Sequence, residues 1–460
     1  MSQLLFAGDA LRSLRERLLA SDLERGALLL AQPVSVASDS WRLLATETVF
    51  LEDQEYSRQS ADGLEIPPHI LARLIKRARY ERQSIVLVHT HPWDGAIDPS
   101  PVDRAGETLL LPVMFSRVVG LPHARLILGR KDTHAALFER VDSEVGLDVT
   151  GIGASLAYAP TLRSEGELDR AFDRQVRAFG ELGQRRLGRI RAAIVGLGGT
   201  GSIVALQLAH LGVSRFLLID PDSIDRTSLN RVAGATEADV GSAKVQVAAR
   251  TIRQVSPAAE VFTLQEDVVR QSIARSILGT DFFFSCTDSH GSRAVLTQLA
   301  YQYLLPGIDL GVRIEAVEGA VTHVVGRVQM LAPGLACTSC TGVLDPEAVR
   351  RDLLSDEQRR ADPYIVGGIE PQPSVISLNS VVSGLAVSMF LAAVTGVPLR
   401  ARHQIVLFDS GAVKPIANTP DPVCPVCSER GFLGRGDSWP MPGRPDPNPG
   451  ILPVSDDGDK

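Results

Sequence analysis

Leu11, Leu14 and Leu18 recur at helical spacing, so residues 1–20 are expected to be helical. The unbroken apolar runs GALLLA (26–31) and SIVLVHTH (84–91) read as buried strands, with the helix-like HILARLIKRARYERQ (69–83) between them. LPVMFSRVVG (111–120) and ARLILGR (124–130) read as further strands and complete a first domain over 1–145. Residues 146–165, rich in glycine and small side chains, read as a linker. The pattern changes at 166. GELDRAFDRQVRAFGELGQRRL is helical, and RAAIVGLGGTGSIVALQLAHLGVSRFLLIDPD then runs strand, glycine-rich turn, helix, strand. That βαβ unit predicts a doubly wound, mostly parallel sheet, with another strand at DFFFSCTD (281–288). The second domain is expected over 166–432, and the proline-rich 433–460 is expected to be disordered.

At 460 residues the chain exceeds one ordinary core, in keeping with two domains. A net charge of -7 and 5% aromatics argue against a nucleic-acid partner, which calls for a basic surplus or stacking rings. The apolar run VVSGLAVSMFLAAVTGV (381–397) is short and laced with Ser, Thr and Gly, so it reads as a core helix rather than a membrane span. With no signal peptide at the start, a cytoplasmic protein is expected. Four of the five cysteines form two CxxC pairs, Cys337/Cys340 and Cys424/Cys427, which in a reducing compartment favours a metal clip over disulfides. The 83 residues between the pairs leave two unrelated pairs, one of them redox-active, as the alternative.

GLGGTG (196–201) sits between a strand and a helix, where glycine lets phosphates approach backbone N–H groups at a helix N-terminus. Asp220 ends the next strand, placed for ribose hydroxyls, so a nicotinamide cofactor is one reading. Arg231, Lys244 and Asp288 favour adenylation instead. Cations offset triphosphate charge, and a carboxylate holds Mg2+ near the transferred phosphoryl group. Cys286, in an apolar strand, reads as a buried structural thiol.

FDRQVRAFGELGQRRL, GLGGTG, LIDPDSIDRTSLNR, GSAK, CTDSHGSR and the two CxxC pairs together resemble the ubiquitin-activating superfamily, specifically its ThiF/MoeB-like adenylyltransferases. The resemblance implies that Gly196, Gly198, Gly199 and Gly201 cradle ATP and that Asp220 binds ribose. It places Ser228, where the family often has asparagine, with Arg231 and Lys244 near the phosphates, and Asp288 on Mg2+. Arg174 would reach the partner subunit's site in a homodimer, and the four paired cysteines would hold structural zinc. The implied reaction is adenylation of the C-terminal carboxylate of a small β-grasp protein. No free cysteine lies within 345–420, where thioester-forming members place their nucleophile, so the reaction is expected to stop at an acyl-adenylate passed to a separate partner, or to use an oxygen nucleophile downstream.

His89 and His91, at i, i+2 on a strand end, project from one face, and Asp103 follows twelve residues on as a third candidate ligand. Glu24, just before an apolar strand, is the candidate general base, with Glu47, Glu52 and Glu55 as rivals, and Ser100 is placed to assist an oxyanion. A distant Glu, His-x-His and Ser-x-x-Asp resemble the JAB/MPN (JAMM) zinc metalloproteases, with eight residues rather than the usual seven between His91 and Ser100. The combined expectation is an α/β protein made of a JAB/MPN-like domain and a ThiF/MoeB-like domain. It would use Zn2+, ATP and Mg2+ on a ubiquitin-like substrate and work with a conjugating-enzyme-like partner, as in bacterial ubiquitin-like conjugation systems. The alternatives are sulfur-carrier activation in thiamine, molybdopterin or cysteine-type biosynthesis, and a catalytically inactive adaptor.

Overall fold

The computed structural model describes residues 2–37, 40–161, 167–317, 320–361 and 373–446. It divides into two units: 1–166 with 434–440, and 167–433 with the remaining C-terminal residues.

Unit one is built on strands β1 Ser2–Ala7, β2 Gly26–Ala37 and β3 Ser40–Phe50, with a two-stranded ribbon β4 Arg58–Gln59 and β5 Leu64–Glu65. Strands β6 Ser84–Thr90, β7 His123–Leu128, β8 Thr133–Phe138, β9 Val145–Ile152 and β10 Leu156–Tyr158 follow, with helices α1 Ala10–Leu18, α2 Pro68–Glu81 and α3 Pro101–Arg117. The main sheet runs β1-β3-β2-β6-β7-β8-β9-β10, and a β1–β9 pairing closes it into a ring. Alternation along β2 sends Ala27, Leu29 and Ala31 into a core shared with α1, while Leu28 and Leu30 enter a second core shared with α2 and α3.

Three expectations for this unit are corrected. Residues 2–7 form a strand ahead of the helix, because Leu4 and Phe6 feed the α1 core at a period of two. Residues 111–117 lie in α3 rather than in a strand. An apolar run is ambiguous by periodicity alone. Here the Ser100–Asp103 capping box starts a helix whose inward face is Glu107, Leu111 and Met114, and Pro112 sits within it. The expected linker supplies β9 and β10, which pair in the main sheet, because small residues at Gly151 and Gly153 allow close approach of Ala157, Leu11 and Gly8.

Unit two carries α4 Asp173–Arg189, β11 Arg191–Val195, α5 Gly201–His210, β12 Arg215–Ile219, α6 Lys244–Val255, β13 Glu260–Leu264, α7 Gln271–Ser276, β14 Phe282–Ser285 and α8 His290–Gln302. It continues with β15 Gly307–Val317, β16 Ala320–Leu331, α9 Pro346–Leu353, α10 Asp356–Ala361, α11 Ile376–Thr395, β17 His403–Leu407 and β18 Ala412–Pro415. The strand order is β13-β12-β11-β14-β15-β16-β17-β18. The first five strands are parallel and the last three antiparallel, so the expected mostly parallel sheet is present. The order reverses between β11 and β14, and in such sheets ligands bind at the carboxyl ends of the strands flanking that point.

Among the described residues, α11 is the one helix long and apolar enough to cross a membrane. It packs against α4, α5, β15 and β16 within this unit, burying Val382, Met389 and Phe390.

The expected disordered tail is corrected as far as residue 446. Gly436 lies against Val34, Gln32 and Leu44, where a Cβ would meet side-chain atoms at 2.8–3.2 Å. Arg444 pairs its backbone with Val269 and Gln271, and Asp446 accepts from the Ser272 N–H and hydroxyl. Prolines keep the unfolded segment stiff, so these few contacts suffice to order it. Residues 447–460 lie outside the described residues.

Candidate metal centre and nucleotide site

In unit one the register alone brings the acid to the histidines. Gly26 pairs antiparallel with His89, so residue 24 stands opposite residue 91. His89 and His91 share strand parity with Ile85, so they face the side that α2 and α3 cover, and α3 delivers Asp103 from its first turn. His89 Nε2 lies 3.1 Å from Asp103 Oδ1, His91 Nε2 lies 3.2 Å from Asp103 Oδ2, and Glu24 Oε1 stands 3.6 Å from His91 Nε2. One ligand atom from each of His89, His91 and Asp103 falls within 4.8 Å of the others.

These residues fit a metal ion. Both Nε2 atoms are buried with no hydrogen bond of adequate geometry, a costly arrangement for imidazole unless a lone pair is coordinated. Burial pushes the Asp103 carboxyl up, but the close imidazoles of His89 and His91 and the hydrogen bond from the Ser100 N–H together hold it well below the usual carboxylate range, in the anionic form a ligand needs. Glu24 is 3% exposed. Burial raises its carboxyl to about 7, His91 opposes the rise, and Asp103 and Asp62 add to it. Its rivals are engaged elsewhere: Glu47 with Arg77, Glu52 with Arg17, and Glu55 in a turn cap.

Ser100 is the N-cap of α3. Its hydroxyl oxygen accepts the Asp103 N–H at 3.1 Å, and its own N–H donates to Asp103 Oδ2 at 2.7 Å. Ser100 thereby orients Asp103. Before the cap, Asp132 accepts the Ile97 N–H and Lys131 pairs with Asp94. One neighbour carried no sequence signal of its own. Trp93 stacks on His91 with ring centroids 4.4 Å apart and is 42% exposed, forming an aromatic wall beside the centre.

In unit two the glycine loop follows β11 and Asp288 follows β14, the two strands at the order reversal. Gly196 takes φ +88°, and a Cβ at Gly201 would stand 1.8 Å from the Gly196 carbonyl oxygen, so glycine is obligatory there. Gly199 is equally tight against Asn379, whereas Gly198 opens onto free space. A cradle with one face packed and one face open fits a phosphate-bearing ligand. Gly198→Ala should therefore keep the melting temperature while weakening ATP binding about tenfold. Gly201→Ala should lose stability, since overpacking costs about 1–3 kcal/mol. Calorimetry with and without ATP checks both.

Asp220 is buried, with Oδ2 accepting the Leu197 N–H at 2.6 Å and Oδ1 the Asp222 N–H at 2.8 Å, and burial raises its carboxyl. It thus ties the glycine loop to β12. Lys244 Nζ pairs with Asp222 at 2.7 Å, Arg231 donates to the Thr227 carbonyl, and Ser228 donates its N–H and hydroxyl to Asp225. Asp288 and Arg174 are exposed. The geometry brings the glycine loop and Asp220 into contact. It holds Lys244, Arg231 and Ser228 in local turns, and Arg174 stays exposed on α4.

A buried ion cluster at β14–β16 went unread in the sequence. Asp309 is fully buried, accepts from Ser285, and pairs with Arg327 and with Arg293 at 3.4 Å. An acid inside the apolar LLPGIDLGV was its one signal. Burial, with the nearby Asp309 charge, pushes the Cys286 thiol well up, so it is a poor nucleophile.

The four paired cysteines meet. Sγ–Sγ distances are 3.7 Å for Cys337–Cys340, 3.6 Å for Cys337–Cys424 and 3.5 Å for Cys340–Cys427. A disulfide would be about 2 Å, whereas ligands of a tetrahedral Zn–S4 site stand about 3.8 Å apart. Backbone N–H groups of Cys340 and Val426 donate to Cys337 and Cys424, as thiolates require. The donor set fits zinc, and two separate pairs are not what the fold builds.

The ThiF family profile matches residues 172–426. The SAMP-activating enzyme E1 of Haloferax volcanii is 29% identical over 177 residues, covering 38% of this chain and 61% of that protein. Ubiquitin-like modifier-activating enzyme 5 of Arabidopsis thaliana is 28% identical over 213 residues, covering 41% and 48% respectively. The chain spans about half the length of these curated relatives. The crystal structure of E. coli MccB with MccA-N7isoASN covers 57% of this chain and 76% of that one, at 20% identity and a TM-score of 0.47.

Proposed function

The chain belongs to the ThiF family, and from that premise we propose that unit two adenylates the C-terminal carboxylate of a small ubiquitin-like protein and that unit one is a JAB/MPN-type zinc peptidase acting on the same protein's tail. The observation that carries the first half is the glycine cradle and Asp288 just after the two strands that flank the order reversal. In that reading the loop N–H groups and the α5 N-terminus receive the triphosphate, and Lys244 and Arg231 offset its charge. Mg2+ bound at Asp288 would neutralise charge on the departing pyrophosphate. A substrate carboxylate oxygen attacks the α-phosphorus as the bond to pyrophosphate breaks, leaving an acyl-adenylate. Arg174 would serve a neighbouring subunit in a homodimer.

The second half is supported by the convergence of His89, His91, Asp103 and Glu24. A zinc ion held there would acidify water and polarise the scissile carbonyl. Glu24 takes the proton from the attacking water and returns it to the leaving nitrogen. Trimming would expose the carboxylate that unit two consumes. The ubiquitin-like modifier-activating enzyme among its relatives favours protein modification over sulfur-carrier activation. A product that is amide-linked to lysines separates the first from a thiocarboxylate.

ATP–pyrophosphate exchange dependent on a β-grasp protein tests adenylation. Asp288→Ala should reduce exchange about 10²-fold or more. Cys286→Ser should leave it unchanged, with no reducible thioester on the wild-type chain. A Cys286-dependent thioester would refute termination at the adenylate.

A further inference from the structure

Two side chains outside every motif above hold the two loops of the nucleotide site. Asp352 lies on α9, yet its Oδ2 accepts the Ser289 hydroxyl at 2.8 Å and the Gly291 N–H at 2.9 Å. Ser289 is already the N-cap of α8, accepting the Ser292 N–H, so Asp352 is an additional anion at the same helix start. The approach is close, since a Cβ at Gly291 would stand 2.5 Å from the Asp352 Cβ. Arg359 donates to the Asp352 carbonyl at 2.8 Å, which fixes the end of α9. Asp288 is the residue immediately before this anchored turn. By holding the Ser289 hydroxyl and the Gly291 N–H, Asp352 fixes the turn that carries Asp288.

On the other side, Asn379 of α11 is 4% exposed and packs so tightly on Gly199 that a Cβ there would stand 2.1 Å from its Nδ2. The same Nδ2 donates to Ser374 Oγ at 3.0 Å. One turn on, Ser383 donates its hydroxyl to the Thr200 carbonyl at 3.1 Å. Residues four apart share a helix face, so α11 presents Asn379 and Ser383 together to the Gly199–Thr200 peptide. That peptide opens α5, whose N-terminal N–H groups receive a phosphate in the nucleotide reading.

We infer that Asp352 and Asn379 are positioning residues for the nucleotide site: Asp352 sets the Asp288 loop for a divalent cation, and Asn379 sets the glycine loop for the phosphates. The inference rests on the nucleotide reading of unit two. It assigns each residue a different signature. Asp352 acts on the metal-dependent part of binding, and Asn379 acts on nucleotide binding with or without metal.

The experiment is titration calorimetry of the full-length protein with ATP, once with Mg2+ and once with EDTA, on wild type, Asp352→Ala, Asp352→Asn, Asn379→Ala and Ser383→Ala. Asp352→Ala should bind metal-free ATP as wild type does and lose about tenfold of the gain that Mg2+ brings, the scale of a charge-assisted hydrogen bond. Asn379→Ala should weaken ATP about tenfold in both conditions, and Ser383→Ala should do so more mildly. If either alanine variant fails to fold, Asp352→Asn and Ser383→Ala, which each remove less, carry the comparison. A wild type that binds no ATP overturns the nucleotide reading itself. A wild type that binds, with variants matching it in both conditions, overturns this inference. Equal losses with and without Mg2+ in the Asp352 variants reduce that residue to a structural cap and overturn its assigned part.

Discussion

Replacing Glu24 with alanine is expected to slow tail cleavage by about 10²–10⁴-fold while leaving the zinc content of unit one unchanged. In the proposed centre His89, His91 and Asp103 would supply the ligand atoms, so removing an acid 3.6 Å from His91 Nε2 should subtract the proton carrier and not the metal. The same residue gives a pH signature. Burial raises its carboxyl to about 7, and a base must be ionised to work, so the rate falls as pH drops through the Glu24 pKa. A bound dication favours the carboxylate and moves that limb below 7. Glu24→Gln, close in shape, should abolish both the rate and the limb. Unchanged cleavage in either variant would remove Glu24 from the mechanism, and loss of zinc together with activity would make it a ligand.

The second large effect is expected at the cysteine cluster. Cys424→Ser should lower zinc content by one equivalent per chain and destabilise unit two by several kcal/mol, since structural zinc contributes about 10–16 kcal/mol of apparent binding energy in small zinc modules. The cluster joins the turn after β16 to the turn at 421–428, 87 residues further along the chain for the Cys337–Cys424 contact, so its loss releases a long loop. Metal analysis with a thermal melt checks both consequences. A variant with full zinc and an unchanged melt would mean that the four sulfurs meet without a metal. Because the cluster and the His89 centre use different ligands, His91→Ala should also remove one zinc but leave the unit-two melt in place.

Much of both sites was legible because the chemistry lies in strongly periodic segments. The His-x-His pair ends an apolar strand, and Glu24 falls opposite His91 once that strand pairs with 26–31. The glycine loop lies inside an unmistakable βαβ unit. The misreadings share a different cause. LPVMFSRVVG puts apolar residues on both faces of α3, with Val113 exposed and Leu111 and Met114 buried, so it carries no helical period to read. Residues 145–158 and 434–446 are ordered by pairing and by small-residue contacts supplied by distant segments, which local composition does not record. Asn379 and Asp352 are polar residues whose meaning comes only from what they touch across the fold. Ser100 was found by its spacing, but its visible work is to cap α3 and orient Asp103.

The central claim is that one chain first frees and then activates the tail of a ubiquitin-like protein. Intact-mass spectrometry tests it most directly, on a β-grasp protein that carries extra residues after a C-terminal Gly-Gly, incubated with the zinc-loaded chain with and without Mg·ATP. The account predicts trimming without ATP, and an adenylylated species on the trimmed form alone when ATP is present. Glu24→Ala should block both on the extended protein, and adenylation alone should return when the substrate is supplied already trimmed. Adenylation of the untrimmed protein, or trimming that persists in Glu24→Ala, would contradict it.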